Sequence, residues 1–241
     1  QIVVVMALIA AWQLVAMSTG LPEYVLPSPI EVAHTIRIQA IYLLVNLWAS
    51  TWKAALATTI VLLFSLSLAV ASDTSPNLRT MVISIAGSFE AVPKVVLAPV
   101  FIVWFGIGAS PKIALAVLIC FFPVFQRIDA GWRAIPKEIG YFARGLGADH
   151  TSVVREVYLP WIIPDILEAV RLCIPLAFVG VIIGEIIASR NGIGVVVMMS
   201  MGRLDMPTVW AAACLVAVTA GFSVFAISKL VDASFRRYRD A

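Results

Sequence analysis

Among the charged side chains inside long apolar stretches of this sequence, four are candidates for function: Glu90, Lys94, Arg171 and Glu185. A charge in apolar surroundings costs free energy unless it is paired with an opposite charge or faces a water-filled cavity. Glu90 and Lys94 are separated by one helical turn, so on a continuous helix they share one face and can form an ion pair. Either these two side chains neutralise each other, or Lys94 or Arg171 lines a pathway and attracts an anion.

Glu185 would repel such an anion. We expect it instead to act as a gate, by accepting hydrogen bonds from the turn at 189–194. Pro93 and Pro99 bend the segment that carries Lys94 and leave backbone carbonyl groups without their helical partners. Such bends either border a pathway or only improve packing, and both interpretations stay open. The candidate pathway residues are therefore Glu90, Pro93, Lys94, Arg171 and Glu185.

Residue types and spacing give little support for other chemistry. Cys120, Cys173 and Cys214 lie within apolar runs, where cysteine usually serves as a small packing residue. His34 and His150 are far apart, and neither belongs to a Cys/His cluster with metal-ligand spacing. The sequence lacks the phosphate-binding pattern G-x-x-x-x-G-K-[ST]. We therefore expect no catalytic residue, no metal ion and no cofactor on this chain.

The composition indicates that membrane-spanning helices position these residues. The 241 residues are 61% hydrophobic and 13% charged, whereas soluble domains carry about 25% charged residues. The net charge of +3, with scattered basic residues, argues against nucleic-acid binding. A bilayer core about 30 Å thick needs roughly 20 apolar residues per helix. Six stretches meet this requirement, which predicts one all-α transmembrane domain over residues 1–241: 1–18, 54–72, 81–105, 111–129, 163–188 and 207–231.

Two details of these elements can be predicted from proline and cap residues. The third stretch is either one kinked helix or a helix broken near Pro93. Between the first two stretches, Ser28 followed by Pro29 predicts a helix start. An amphipathic helix then runs to about Ala40 and is expected to lie at the membrane surface.

The distribution of Lys and Arg predicts the orientation, because cytoplasmic flanks are enriched in them. If the polar segment 130–162 is cytoplasmic, ten basic residues fall on that side and five on the other. Both termini then lie in the cytoplasm, as an even number of crossings requires.

The longest polar interval between two stretches runs over residues 135–164. Pro136 can open a short helix that continues to Leu146, and Gly147 can end it in a left-handed conformation. Thr151 can then start a second helix that runs to Pro160, just before the fifth stretch. The interval is either a simple connection or a rigid elbow that passes a push from the cytoplasm into the membrane helices.

The spacing within this interval resembles the EAA motif in the permease subunits of bacterial ABC importers. Ala143 is followed after three residues by Gly147, and after nine more by Val157, with Leu159 and Pro160 beyond.

Two positions depart from that pattern, since Tyr141 stands where the motif has Glu and Phe142 where it usually has Ala. Glu138, one turn earlier, is the acid that could partly substitute. Other segments resemble the nitrate, sulfonate and taurine branch of the family: Leu26 to Pro29, 89–94, 104–108 with Lys112, and Gly184-Glu185 followed by 192–194. The likeness covers about residues 25–235.

The resemblance implies the type I importer permease fold and a location in the bacterial inner membrane. It implies a pore of two permease subunits, expected to be a homodimer, driven by two cytoplasmic ATPases that use ATP and Mg²⁺. An extracytoplasmic binding protein would deliver a small solute, expected to be an anion such as an organic acid or sulfonate. The residues that the resemblance assigns to ATPase coupling are Tyr141, Phe142, Ala143, Arg144, Gly145, Leu146, Gly147, Ala148, Asp149, Leu159 and Pro160. The alternative is an ATP-independent secondary transporter or channel, which would need no such elbow.

Overall fold

The computed structural model describes the backbone of residues 2–20, 22–90 and 92–239, and these ranges contain no strand. The all-α fold predicted from the composition is confirmed. The helices are α1 Ile2–Ser18, α2 Pro29–Ile38, α3 Ala40–Thr74, α4 Pro76–Glu90, a 3-10 turn Lys94–Leu97, α5 Ala98–Phe105, α6 Ser110–Arg133, α7 Lys137–Gly145, α8 His150–Val153, a π-helical turn Val154–Tyr158, α9 Leu159–Trp161, α10 Ile163–Ala188, α11 Ile193–Gly202 and α12 Met206–Arg239.

Four helices, α3, α6, α10 and α12, are long and apolar enough to cross a membrane. They correspond to the second, fourth, fifth and sixth predicted spans. However, α3 begins at Ala40 rather than near residue 54. Lys53 therefore lies inside a continuous helix and not just before it, as the predicted start of the second span at residue 54 implied.

The first and third predicted spans are not single helices long enough to cross a membrane, unlike the other four. The α1 helix has 17 residues, slightly fewer than the roughly 20 that a straight crossing needs. The third span is broken, because α4 and the segment 94–105 meet at 92°. Pro93 sits at the break in an extended conformation, with ψ of 97°. Glu90 and Lys94 thus lie on different helices, and the prediction that they share one helical face is wrong.

The helix predicted after Ser28 is α2, and its start is confirmed. Ser28 Oγ accepts a hydrogen bond from Glu31 N at 3.3 Å. In return, Glu31 Oε2 accepts one from Ser28 N at 2.6 Å, which completes a capping box. Val32 is buried among residues of α3, α11 and α12, so one face of α2 packs on protein.

The core of the fold is the close crossing of α6 and α10. A Cβ at Gly180 would lie 2.5 Å from Ala116 Cα, and a Cβ at Gly184 would lie 3.0 Å from Lys112 Cγ. Two glycines one turn apart therefore let the two helix backbones touch, as small residues commonly do between membrane helices. Cys120 of α6 is buried at this crossing, and the packing role predicted for it agrees with that position.

Candidate functional site

The elbow between α6 and α10 begins with α7 and a left-handed turn. Gly147 has φ of +89°, a conformation that costs glycine little. Ala148 N donates to Ala143 O at 3.2 Å, and Gly147 N donates to Arg144 O at 3.0 Å. This pair of hydrogen bonds is a Schellman cap. The predicted short helix and its left-handed end are confirmed.

The second arm of the elbow, residues 150–161, starts at a cap and ends in a membrane helix. Asp149 accepts a hydrogen bond from Ser152 N at 3.4 Å, which satisfies a free amide of the first turn. The Ser152 hydroxyl also donates to Asp149 and holds the pKa of this carboxyl below its ordinary value. The arm continues through the π-helical turn and α9, with Ile162 as the one residue before α10. The second arm is therefore separated from α10 by a single residue.

The two arms of the elbow are braced against each other and against the membrane helices. A Cβ at Gly140 would lie 2.0 Å from the Tyr158 hydroxyl, so α7 can approach this closely only because the residue is glycine. The Tyr158 ring packs edge-on against Trp132 of α6, with ring centroids 5.6 Å apart. His150 Nε2 lies 3.8 Å from Asp73 Oδ2 near the end of α3. These contacts tie both arms of the elbow to each other and to α3 and α6.

The α7 helix and its cap expose a group of large apolar side chains within a polar segment. Tyr141, Phe142 and Leu146 are 64%, 71% and 75% exposed. The Arg144 guanidinium lies 5.3 Å from the Tyr141 ring centroid, which places a cation beside the aromatic group. An exposed apolar patch with polar neighbours is typical of a protein contact surface.

The remaining residues assigned to coupling divide into two sets. Ala143, Gly145 and Ala148 belong to the same helix end and turn as the exposed apolar group. Leu159 packs against the core, and Pro160 is exposed at the base of the second arm. The structure therefore brings together the residues around Gly147 and leaves the Leu-Pro pair where the elbow joins α10.

Glu185 is held in a buried ion pair that the sequence analysis missed. Its carboxylate lies 2.8 Å from Lys53 Nζ, and the two side chains are 0% and 4% exposed. Ser50 Oγ donates to the same carboxylate at 2.8 Å. Gly194 N donates at 3.0 Å, so the expected hydrogen bond with the turn after α10 is present. Gly192 passes so close that a Cβ there would lie 2.1 Å from Glu185 Oε1.

The other charged candidates lie in separate surroundings. Lys94 borders an apolar groove beside Phe89, and Glu90 is exposed. Arg171 Nε donates to Ser228 Oγ at 2.8 Å and links α10 to α12. The predicted pathway residues are thus not gathered into one site. Among the described residues, no three His, Cys, Asp or Glu side chains come together as a metal site requires.

Two further charge networks join the helices at the elbow end of the fold. Asp129 of α6 accepts two hydrogen bonds of 2.8 Å from Arg79 of α4, and its side chain is only 6% exposed. Arg127 of α6 lies 2.9 Å from Asp165 and also pairs with Glu168 of α10. The acidic partners of both arginines stand on other helices, so no local sequence signal predicts these pairs.

Comparison with known proteins agrees with this architecture. Residues 62–237 match the family described as binding-protein-dependent transport system inner membrane component. The riboflavin transport system permease protein RibX of Chloroflexus aurantiacus is 31% identical, over 87% of this chain and 79% of that protein. The taurine transport system permease protein TauC of Escherichia coli is 29% identical, over 88% of this chain and 80% of that protein.

A chain of the MetNI methionine ABC transporter, solved in an inward-facing conformation, has the same fold. It superposes with a TM-score of 0.64 at 18% identity, over 80% of this chain and 96% of that one. The family match favours the importer interpretation over the ATP-independent transporter or channel. It also makes this chain a transport component and not an enzyme, since ATP hydrolysis resides in a partner subunit. The chain belongs to the family of binding-protein-dependent transport system inner membrane components, as a permease subunit of an ABC importer.

Proposed function

We propose that a cytoplasmic ABC ATPase binds the elbow of residues 137–161 and drives this permease through it. The observation that carries the proposal is the exposed apolar group of Tyr141, Phe142 and Leu146 on a segment that is otherwise braced. A groove of the ATPase would cover these side chains. The elbow would then lie on the cytoplasmic side, as the distribution of Lys and Arg predicts.

Stiffness is what makes the elbow suitable as a lever. The contacts of Tyr158 with Gly140 and Trp132 prevent α7 from swinging independently of the second arm. When the ATPase subunits close on ATP, the attached elbows move with them. The second arm passes this motion to α10, whose close crossing with α6 forces both helices to move together. Such rigid-body motion would switch the pore between inward-open and outward-open states.

We further propose that two copies of this chain form the pore in the inner membrane, with both termini cytoplasmic. An extracytoplasmic binding protein would deliver the solute, in keeping with the family description. The solute would be a small anion of the organic-acid or sulfonate class. This class is supported by relatives named for taurine and for aliphatic sulfonates.

The ATPase contact can be tested by reversing the character of one exposed residue. Phe142→Asp should abolish co-purification of the cognate ABC ATPase, because a charge replaces the apolar contact. Tyr24→Asp is the matched control, since Tyr24 is 55% exposed in the loop between α1 and α2, on the predicted opposite side of the membrane. Uptake by cells should fall with Phe142→Asp and persist with Tyr24→Asp. Retention of both the ATPase and uptake in Phe142→Asp would refute the proposed docking surface.

A further inference from the structure

A cleft of about 410 Å³ lies at the end of the fold away from the elbow, between α3, the N-terminus of α6 and the turn that follows α10. Its lining includes Trp52, Lys53, Gly108, Lys112 and Arg190. Three of these residues are basic. The only carboxylate described at this place is Glu185, beneath the cleft, and it is already bound by Lys53, Ser50 and Gly194 N.

Lys112 is the unusual member of this set. It is 2% exposed, and its Nζ donates to Gly108 O at 2.5 Å. Among the described residues it has no carboxylate within ion-pair distance, and an ammonium group carries three donors. A buried cation with no direct ion-pair partner is costly. Glu185 attracts Lys112 only from beyond ion-pair distance and is already paired with Lys53.

The surroundings of Lys112 favour a negative charge beside it. Arg190 is exposed at the mouth of the cleft and adds a second cation that is free of any described carboxylate. The N-terminus of α6, a helix of 24 residues, contributes the positive end of its dipole next to Ala109. Trp52 supplies an apolar surface for the organic part of a ligand.

We infer that this cleft binds the acid group of a small organic anion, a sulfonate or a carboxylate, between Lys112 and Arg190. The inference rests on the proposed function, because it gives the anionic solute a binding site on the permease. It also moves that site away from Lys94 and Arg171, which the sequence suggested. Lys53 stays in its pair with Glu185, whose negative charge offsets it, so Lys112 and Arg190 supply the charge that attracts the anion.

The test uses the chain purified with its ATPase and titrated with ethanesulfonate at constant ionic strength. Ethanesulfonamide, which is similar in shape and neutral, is the ligand control. Ethanesulfonate should raise the midpoint of thermal unfolding towards a plateau as its concentration increases, since a ligand that binds the folded state stabilises it. The sulfonamide should leave the midpoint unchanged.

Two variants distinguish a ligand site from a structural lysine. Lys112→Met should raise the anion-free midpoint, because it removes an unpaired buried charge, and should abolish the saturable gain. Arg190→Gln, at an exposed position that tolerates the change, should weaken the apparent affinity about tenfold or more. Arg203→Gln, an exposed change after α11, should leave affinity unchanged.

An equal gain with the neutral sulfonamide, or an ethanesulfonate response that survives in both Lys112→Met and Arg190→Gln, would overturn the inference. If the complex retains its ATPase but ethanesulfonate does not change its thermal midpoint, the proposed anion site is refuted and the proposed ATPase contact still stands. If the ATPase fails to co-purify but ethanesulfonate still stabilises the chain, the proposed ATPase contact is refuted and the anion site still stands.

Discussion

Removal of Lys53 from its pair with Glu185 should destabilise the fold strongly. The two side chains are 2.8 Å apart and almost completely buried. In Lys53→Met the carboxylate would stay buried without its cation. It would retain only the hydrogen bonds from Ser50 and Gly194 N. Met fills a similar volume, so the change tests the charge rather than the packing.

The expected magnitude follows from the burial of the partner that remains. Breaking a buried ion pair from one side costs about 3–5 kcal/mol. The two remaining hydrogen bonds place Lys53→Met near the lower limit, at about 3 kcal/mol, or roughly a hundredfold in the unfolding equilibrium. Glu185→Gln should lower the free energy of unfolding by a similar amount, because it leaves the buried Lys53 without its counter-charge. The double variant should cost only about 1 kcal/mol, since neither charge is left unpaired and Gln still accepts hydrogen bonds.

Unfolding of the purified chain in mixed micelles, with increasing fractions of denaturing detergent, measures these differences. Lys229→Met, at an exposed lysine of α12, serves as the matched control and should change the free energy of unfolding little. If the single variants are as stable as the parent, the pair is not a buried charge pair. If the double variant is as unstable as the sum of the single ones, the charges do not interact, and the reasoning fails.

Two further predictions concern the helix crossing and the elbow. Gly180→Leu should lower the free energy of unfolding by about 3 kcal/mol or prevent folding, because a Cβ there would lie 2.5 Å from Ala116 Cα. Gly221→Leu, at an open position, should be tolerated in the same unfolding assay. The Asp149 cap should be pH dependent. Its pKa is lowered by Ser152, so its stabilisation is complete above the ordinary carboxyl pKa of about 4 and is lost as the pH falls through the lower folded value. The protection of the 150–153 amides against hydrogen exchange, relative to their intrinsic rate at each pH, should fall there, but not in Asp149→Asn, which caps without titrating.

Much of the fold could be predicted from the sequence because the signals are short-range. Apolar runs of the right length predicted α6, α10 and α12. The Ser28 capping box and the left-handed Gly147 depend on residues within one or two turns, so their chemistry can be recognised before any folding is considered. The same holds for Pro93, where the break in the third span was one of two predicted outcomes.

The partners of the charged side chains depend on how the helices pack. Lys53 and Glu185 are 132 residues apart, and their contact depends on the depth and rotation of α3 against α10. That rotation is set by all the packed side chains together, including the close crossing at Gly180. For the same reason, nothing near Lys112 in the sequence predicts that its side chain is buried, yet Gly184 packs against it and a cleft lies beside it. Local sequence signals thus specify most of the helices and their turns, whereas the pairing of charges requires the helices to be packed against each other.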